Sequence, residues 1–169
     1  MNKLISTVLF TLLVMSVSAQ AICTDPAFDN QVRRYLKQTV PVMDVDTLAN
    51  IMQSVMILDA RDLEEYQVSH IPGARHIGYK QLDLAVLNGL PKETPIVVYC
   101  SIGYRSERVG ERLREMGYPH VHNLYGSMFE WVNRGRPVTD ATGTPTNRVH
   151  GYSKAWSRWI LNPAITKVW

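Results

Sequence analysis

Apolar residues along this chain fall in short blocks that alternate between two spacings. Val55-Met56-Ile57-Leu58, Ile96-Val97-Val98-Tyr99 and Val121-His122-Asn123-Leu124 are compact runs that read as buried strands, β-branched enrichment favouring strand over helix. Arg75-His76-Ile77 is a shorter strand, and residues 40–43 are a brief extended stretch. Between these runs the apolar positions recur at helical spacing. Leu48, Ile51 and Met52 follow a cap at Asp44 or Asp46, and residues 62–67 make a helical turn or a little more. Leu82, Leu84, Ala85 and Leu87 predict a helix over 79–90, stopped by Gly89 and Pro91. Val109, Leu113 and Met116 predict another over 106–116, with Gly117 at its stop. Residues 128–132 form a last short helix ended at Gly135. Ahead of all these, Phe28, Val32 and Tyr35 predict a helix opened by Asp25-Pro26. Strand and helix alternate as in βα units, so the expected class is α/β: a small, mainly parallel sheet with helices on both faces.

The first residues carry a different signal. Met1-Asn2-Lys3 is a short positive start, residues 4–17 are almost unbroken apolar, and Ala19-Gln20-Ala21 is a small-x-small cleavage site. Residues 1–21 therefore read as a secretory signal peptide, the mature chain starting near Ile22. Ile22 is the wrong residue type for processing to a lipid-anchored Cys23. The organisation expected is a leader (1–21), an N-terminal helical extension (22–41), one α/β domain (42–138), and a linker with a Trp-rich extension (139–169).

Composition narrows the function. The chain has 169 residues, 46% hydrophobic and 20% charged, with a formal charge of +3, enough for one domain with a real core. That charge is spread along the chain and gives no argument for nucleic-acid binding. Export sharpens the reading of the two cysteines, Cys23 and Cys100, because an oxidising compartment pairs exposed thiols. A Cys23–Cys100 bridge stays open as an alternative to a reactive Cys100.

The chemistry centres on Cys100. It stands at the carboxyl end of a buried strand, where open α/β sheets place their sites, and is followed by a small polar loop and a helix. Consecutive N–H groups from Ser101 to Ser106 suit an anion, including a thiolate, and Gly103 permits a turn that a side chain would resist. Arg105 either holds the loop's shape, faces an anion, or is a surface arginine of the next helix. Asp59 and Arg61 end a neighbouring strand on the same sheet edge.

Leu58-Asp59-Ala60-Arg61, Glu64-Glu65-Tyr66, His70-Ile71-Pro72-Gly73-Ala74, Val98-Tyr99-Cys100, Gly103, Arg105-Ser106, Leu124-Tyr125-Gly126-Ser127 and then Trp131 together resemble a single-domain rhodanese over about residues 42–138. The resemblance implies the small rhodanese fold and a thiosulfate sulfurtransferase-like activity. Cys100 is then the nucleophile and persulfide carrier, and Ser101, Ile102, Gly103, Tyr104, Arg105 and Ser106 form the loop that binds substrate and persulfide. Arg61 is implied as a contributor to the rim, and a salt bridge of Asp59 and Arg61 that pins loops is the equally open reading of these two residues. No cofactor or metal is called for. The expected partners are a small sulfur donor, a thiol or cyanide acceptor, and a reducing or acceptor protein, in the periplasm. Four residues separate Cys100 from Arg105, whereas cysteine phosphatases use five to surround a phosphate, so the loop suits sulfur. Many rhodaneses carry a cation directly after the cysteine; Ser101 stands there here, while Ile102 and Tyr104 add apolar bulk. This departure points to a weaker anion site or another sulfane donor. The alternative function is a non-enzymatic persulfide-binding, redox-sensing or interaction module with Cys100 oxidised or bridged to Cys23.

The remaining features are structural in expectation. His70 reads as a turn histidine bonded to backbone, and the other histidines lack metal-ligand spacing. Residues 142–147 have linker composition, and Trp156, Trp159 and Ile160 share one face of a helix over 153–161. That face is either a strap packed on the domain or a docking or membrane-surface element.

Overall fold

The computed structural model describes residues 22–169, and the signal-peptide expectation for 1–21 lies outside them. Helix α1 (Pro26–Tyr35) starts where the sequence predicts. The Asp25 carboxylate accepts the Phe28 N–H at 2.7 Å, with Pro26 in the first turn. The chain continues through β1 (Val42–Met43), α2 (Val45–Ile51, capped by Asp44), β2 (Met56–Asp59), α3 (Leu63–Val68) and β3 (Arg75–His76). It then passes through β4 (Ile96–Tyr99), α4 (Tyr104–Glu115), β5 (Val121–Leu124) and α5 (Ser127–Asn133).

These five strands form one all-parallel sheet in the order β1-β5-β4-β2-β3. β4 is central and buried along its whole length, which explains why it reads as an unbroken apolar run. Its side chains alternate between the faces. Ile96, Val98 and Cys100 join Val109 and Leu113 of α4, while Val97 and Tyr99 join α1, α2 and α5. Helices therefore cover both faces, as the α/β class requires. From β4 the chain moves through α4 to β5; from the adjacent β2 it moves through α3 to β3, the opposite way along the sheet. Neighbouring strands whose connections diverge leave a crevice beyond their carboxyl ends. Cys100 follows β4 at that crevice.

Three expectations need correction. The helix expected over 79–90 is only a 3-10 turn, Leu84–Leu87. Gly78 turns the chain at φ +77, and Asp83 restarts it by accepting the Ala85 N–H. Leu82 and Leu87 still reach the α4 side of the core, so the apolar spacing belongs to an irregular segment laid on the sheet. Helix α4 begins at Tyr104, two residues before the predicted start, which puts Arg105 and Ser106 in its first turn.

The third correction is the tail. The 142–147 stretch is no loose linker, since β6 (Val138–Thr139) pairs antiparallel with β7 (Pro145–Thr146) around a turn held by the Asp140 carboxylate. β8 (Arg148–His150) then pairs parallel with β9 (Thr166–Val168). Instead of a helix over 153–161 there is one 3-10 turn, Ser157–Trp159. A Cβ on Gly151 would lie 2.4 Å from the Cβ of Ser157, so the chain doubles back tightly there. The tryptophans pack inward all the same. Trp159 lies 5.7 Å from Phe28 and Trp156 5.2 Å from Tyr35, between ring centres, while Val149 and Ile160 are in the core.

Deleting residues 141–169 should therefore lower the melting temperature by roughly 10 °C or more. Two fully buried aliphatic side chains and the two tryptophan contacts are worth several kcal/mol, and each kcal/mol is ~2–4 °C at this size. A thermal melt of the truncated chain checks this; an unchanged midpoint would show that the tail is not a strap.

Candidate active site

Cys100 is 1% exposed yet lines the floor of a cavity of about 400 Å³. The loop after it is short: Ser101, Ile102 and Gly103, then the first turn of α4. Its carbonyls point away from the sulfur. Those of Cys100 and Ser101 accept the N–H groups of Met128 and Phe129, both at 3.1 Å, at the start of α5. The Cys100 N–H donates to Ser127 Oγ at 3.2 Å, and that hydroxyl donates to the Leu124 carbonyl. With the carbonyls so engaged, N–H groups turn inward, and the Gly103 N–H donates to Cys100 Sγ at 3.2 Å. Gly103 does this at φ +114, a conformation side chains resist, with Leu36 only 3.3 Å from where a Cβ would be.

The sequence-predicted loop residues take distinct places. Arg105 is no surface residue. Its guanidinium makes a bidentate pair with Glu65 at 2.6 and 2.9 Å and donates to Ser101 Oγ at 3.0 Å. Asp62 lies 3.5 Å from it, and the Tyr152 ring lies across it at 5.2 Å. Ser101 Oγ also donates to Glu65, at 3.2 Å. Ser106 Oγ donates to Asn123 Oδ1 at 2.7 Å, and Asn123 Nδ2 donates to the Gly103 carbonyl at 3.0 Å. Ile102 is buried, and Tyr104 is exposed at the mouth. Arg61 does not reach the rim. It is fully buried, doubly bonded to Asp59 and to the Ser69 carbonyl, because its side chain folds back under the strand end. Tyr99 donates to the same Asp59 carboxylate at 2.6 Å and accepts the Ile71 N–H, so this knot pins the 69–74 turn. His70 bonds the Tyr66 carbonyl and stacks on the Tyr66 ring.

The thiol's environment favours ionisation. Burial pushes its pKa up, but the Arg105 charge, the N–H and hydroxyl of Ser106 and the Gly103 N–H outweigh that, holding it below its ordinary value. Burial likewise opposes ionisation of Glu65, and Arg105 more than compensates. Cys23 is the contrast: burial, with Glu130 and Asp29 nearby, pushes its thiol well up. The two cysteines are free thiols in clusters on opposite faces of the sheet, so the Cys23–Cys100 bridge has no support in this fold.

Several site residues escaped the sequence reading. Glu65 stands three residues after Asp62, the spacing of a capping box, and that box forms. The spacing gives no sign of Arg105 as its partner. Asn123 and Ser127 look like ordinary strand and helix positions. Tyr35, Tyr79, Tyr152 and Trp156 line the mouth from segments outside the loop.

Residues 44–134 match the Rhodanese-like domain family. The thiosulfate sulfurtransferase GlpE of Coxiella burnetii is 33% identical over 89 residues, 53% of this chain and 81% of that one. PspE of Escherichia coli, also a thiosulfate sulfurtransferase by name, is 39% identical over 70 residues, 41% of this chain and 67% of that one. Among solved structures, the rhodanese-like domain of Anabaena Alr3790 superposes with a TM-score of 0.55 at 28% identity, covering 59% of this chain and 79% of that one.

Alkylation against pH should separate the two thiols: Cys100 reacts first, with a midpoint below that of an ordinary cysteine, and Cys23 only on unfolding. Replacing the buried ion pair by Glu65→Gln with Arg105→Gln, which strands no charge, should move the Cys100 midpoint upward. An unmoved midpoint would mean that Arg105 does not stabilise the thiolate.

Proposed function

The chain belongs to the rhodanese-like domain family, and we propose that it is a sulfurtransferase that carries sulfane sulfur as a persulfide on Cys100. The observation that carries this reading is the buried, ionisation-prone Cys100 thiol at the floor of an open cavity, faced by N–H donors. In the first step the Cys100 thiolate attacks the outer sulfur of a donor such as thiosulfate. The donor's S–S bond breaks, its electron pair leaves with sulfite, and Cys100–S–S⁻ remains. No general base is needed for a thiolate nucleophile whose leaving group departs as an anion, and the surroundings of Cys100 favour that thiolate. The positive end of α4 and the loop N–H groups then face the terminal sulfur. In the second step a thiolate or cyanide attacks that sulfur, leaves as a persulfide or thiocyanate, and returns the Cys100 thiolate.

Glu65, Asn123 and Ser127 act as positioning residues. Glu65 fixes Arg105, Asn123 ties the Gly103 carbonyl to Ser106, and Ser127 receives the Cys100 N–H. The names of the relatives support the reaction class, and the leader pattern of residues 1–21 supports export to the periplasm. There the working cysteine needs a reducing partner or a sulfur acceptor that keeps it out of disulfides.

Incubating the protein with thiosulfate should add one sulfur atom in intact mass, removed by cyanide and absent in Cys100→Ser. A thiol of unchanged mass with thiosulfate and with organic sulfane donors alike would refute the persulfide assignment.

A further inference from the structure

The mouth above Cys100 is wide and aromatic. A cavity of about 400 Å³ falls in the range of sites for small organic molecules and is more room than an inorganic sulfur anion fills. Its walls are Tyr35 of α1, Tyr79, Tyr104 of α4, and Tyr152 and Trp156 of the tail, with Ile102 toward the floor. Tyr35 joins three of these segments. Its ring stands edge-on to Tyr104 at 6.1 Å and to Trp156 at 5.2 Å. Tyr152 takes the left-handed conformation at φ +63 and keeps half its surface exposed while lying over Arg105.

Positive charge at the same mouth is scarce. The described lining holds two cations, Arg105 and Lys80, and one carboxylate, Asp62. Arg105 is committed to Glu65 and Ser101, with Asp62 beside it and Tyr152 across its face. Exposed Lys80 is left as the cation at the rim. Such a site offers a dianion little, but it offers a monoanion one partner and its organic body a large apolar surface.

We propose that the aromatic wall makes this site, read as a persulfide-forming Cys100, selective for organic sulfane donors: monoanions with an apolar body, in preference to thiosulfate. For an organic thiosulfonate, R–SO₂–S⁻, the thiolate attacks the terminal sulfur. The S–S bond breaks, the electron pair leaves as the sulfinate R–SO₂⁻, and Cys100–S–S⁻ forms. For an organic persulfide anion, R–S–S⁻, the thiolate attacks the terminal sulfur, the S–S bond breaks, and the electron pair leaves with the thiolate R–S⁻. The N- and C-terminal extensions thus supply specificity, and the loop supplies chemistry.

The test is steady-state sulfur transfer to cyanide by the mature full chain, with thiosulfate, methanethiosulfonate and benzenethiosulfonate as donors. The expected order of kcat/KM is benzenethiosulfonate, methanethiosulfonate, thiosulfate, the first two differing by about tenfold and through KM. Trp156→Ala and Tyr152→Ala should each pull the benzene-to-methane ratio toward one, and Trp156→Phe should restore it. That ratio is taken within one preparation and does not depend on how much protein is folded. Equal values for the two thiosulfonates, a ratio that neither alanine variant moves, or thiosulfate as the best donor would overturn the selectivity. If no donor places sulfur on Cys100, the persulfide reading fails first and the selectivity with it.

Discussion

A thiol held almost out of contact with water yet drawn toward its anion is the most demanding group in this fold, and much of the structure beyond the sheet answers to it. Desolvation of Cys100 alone would keep the thiol protonated. Opposing it are one guanidinium, the first turn of α4 and inward N–H groups. N–H groups turn inward only if the neighbouring carbonyls find donors elsewhere. The start of α5 provides them, through Met128 and Phe129. The α5 segment is as much part of the site as the loop, though none of its side chains lines the cavity.

The Arg105–Glu65 pair shows a second constraint. A buried guanidinium without a counter-ion is costly, and one fully neutralised no longer helps the thiolate. Here Glu65 takes two of its donors at close range, while the charge still lowers the thiol's pKa. The pair is also a brace. Glu65 belongs to α3, after β2, and Arg105 to α4, after β4, so the bond ties together the two connections that diverge at the crevice. Asp59, Arg61 and Tyr99 repeat the device one layer deeper.

What the sequence makes legible follows from range. The β4 run, the loop length and the strands β2 and β5 are local or repeated patterns, and they emerge as read; their order in the sheet does not show in the sequence. Gly103 is legible because only a positive φ explains a glycine there. Of the two readings of Arg61, its position along the chain suggests the rim, but its side chain answers to Asp59 in the salt bridge that pins a loop. Glu65 and Asn123 are invisible as site residues, since their meaning lies in partners 40 and 20 residues away. The tail fails as a helix for the same reason: Trp156 and Trp159 are placed by Tyr35 and Phe28, and the final strand by β8. Neither partner shows in a helical period.

The division of labour between core and extensions then has a physical basis. A buried thiol drawn toward ionisation needs rigid dipoles at tenths of an ångström, which a central strand and two helix starts supply. A wall that recognises an apolar body needs area more than angular precision, and area is what α1 and the tail add. Both extensions are also anchored into the sheet's helical layer through Phe28, Val32, Val149 and Ile160. Their aromatics are therefore held over Cys100 by the same packing that stabilises the domain, and they meet the segment after Cys100 where Tyr35 stands against Tyr104 and Tyr152 lies over Arg105.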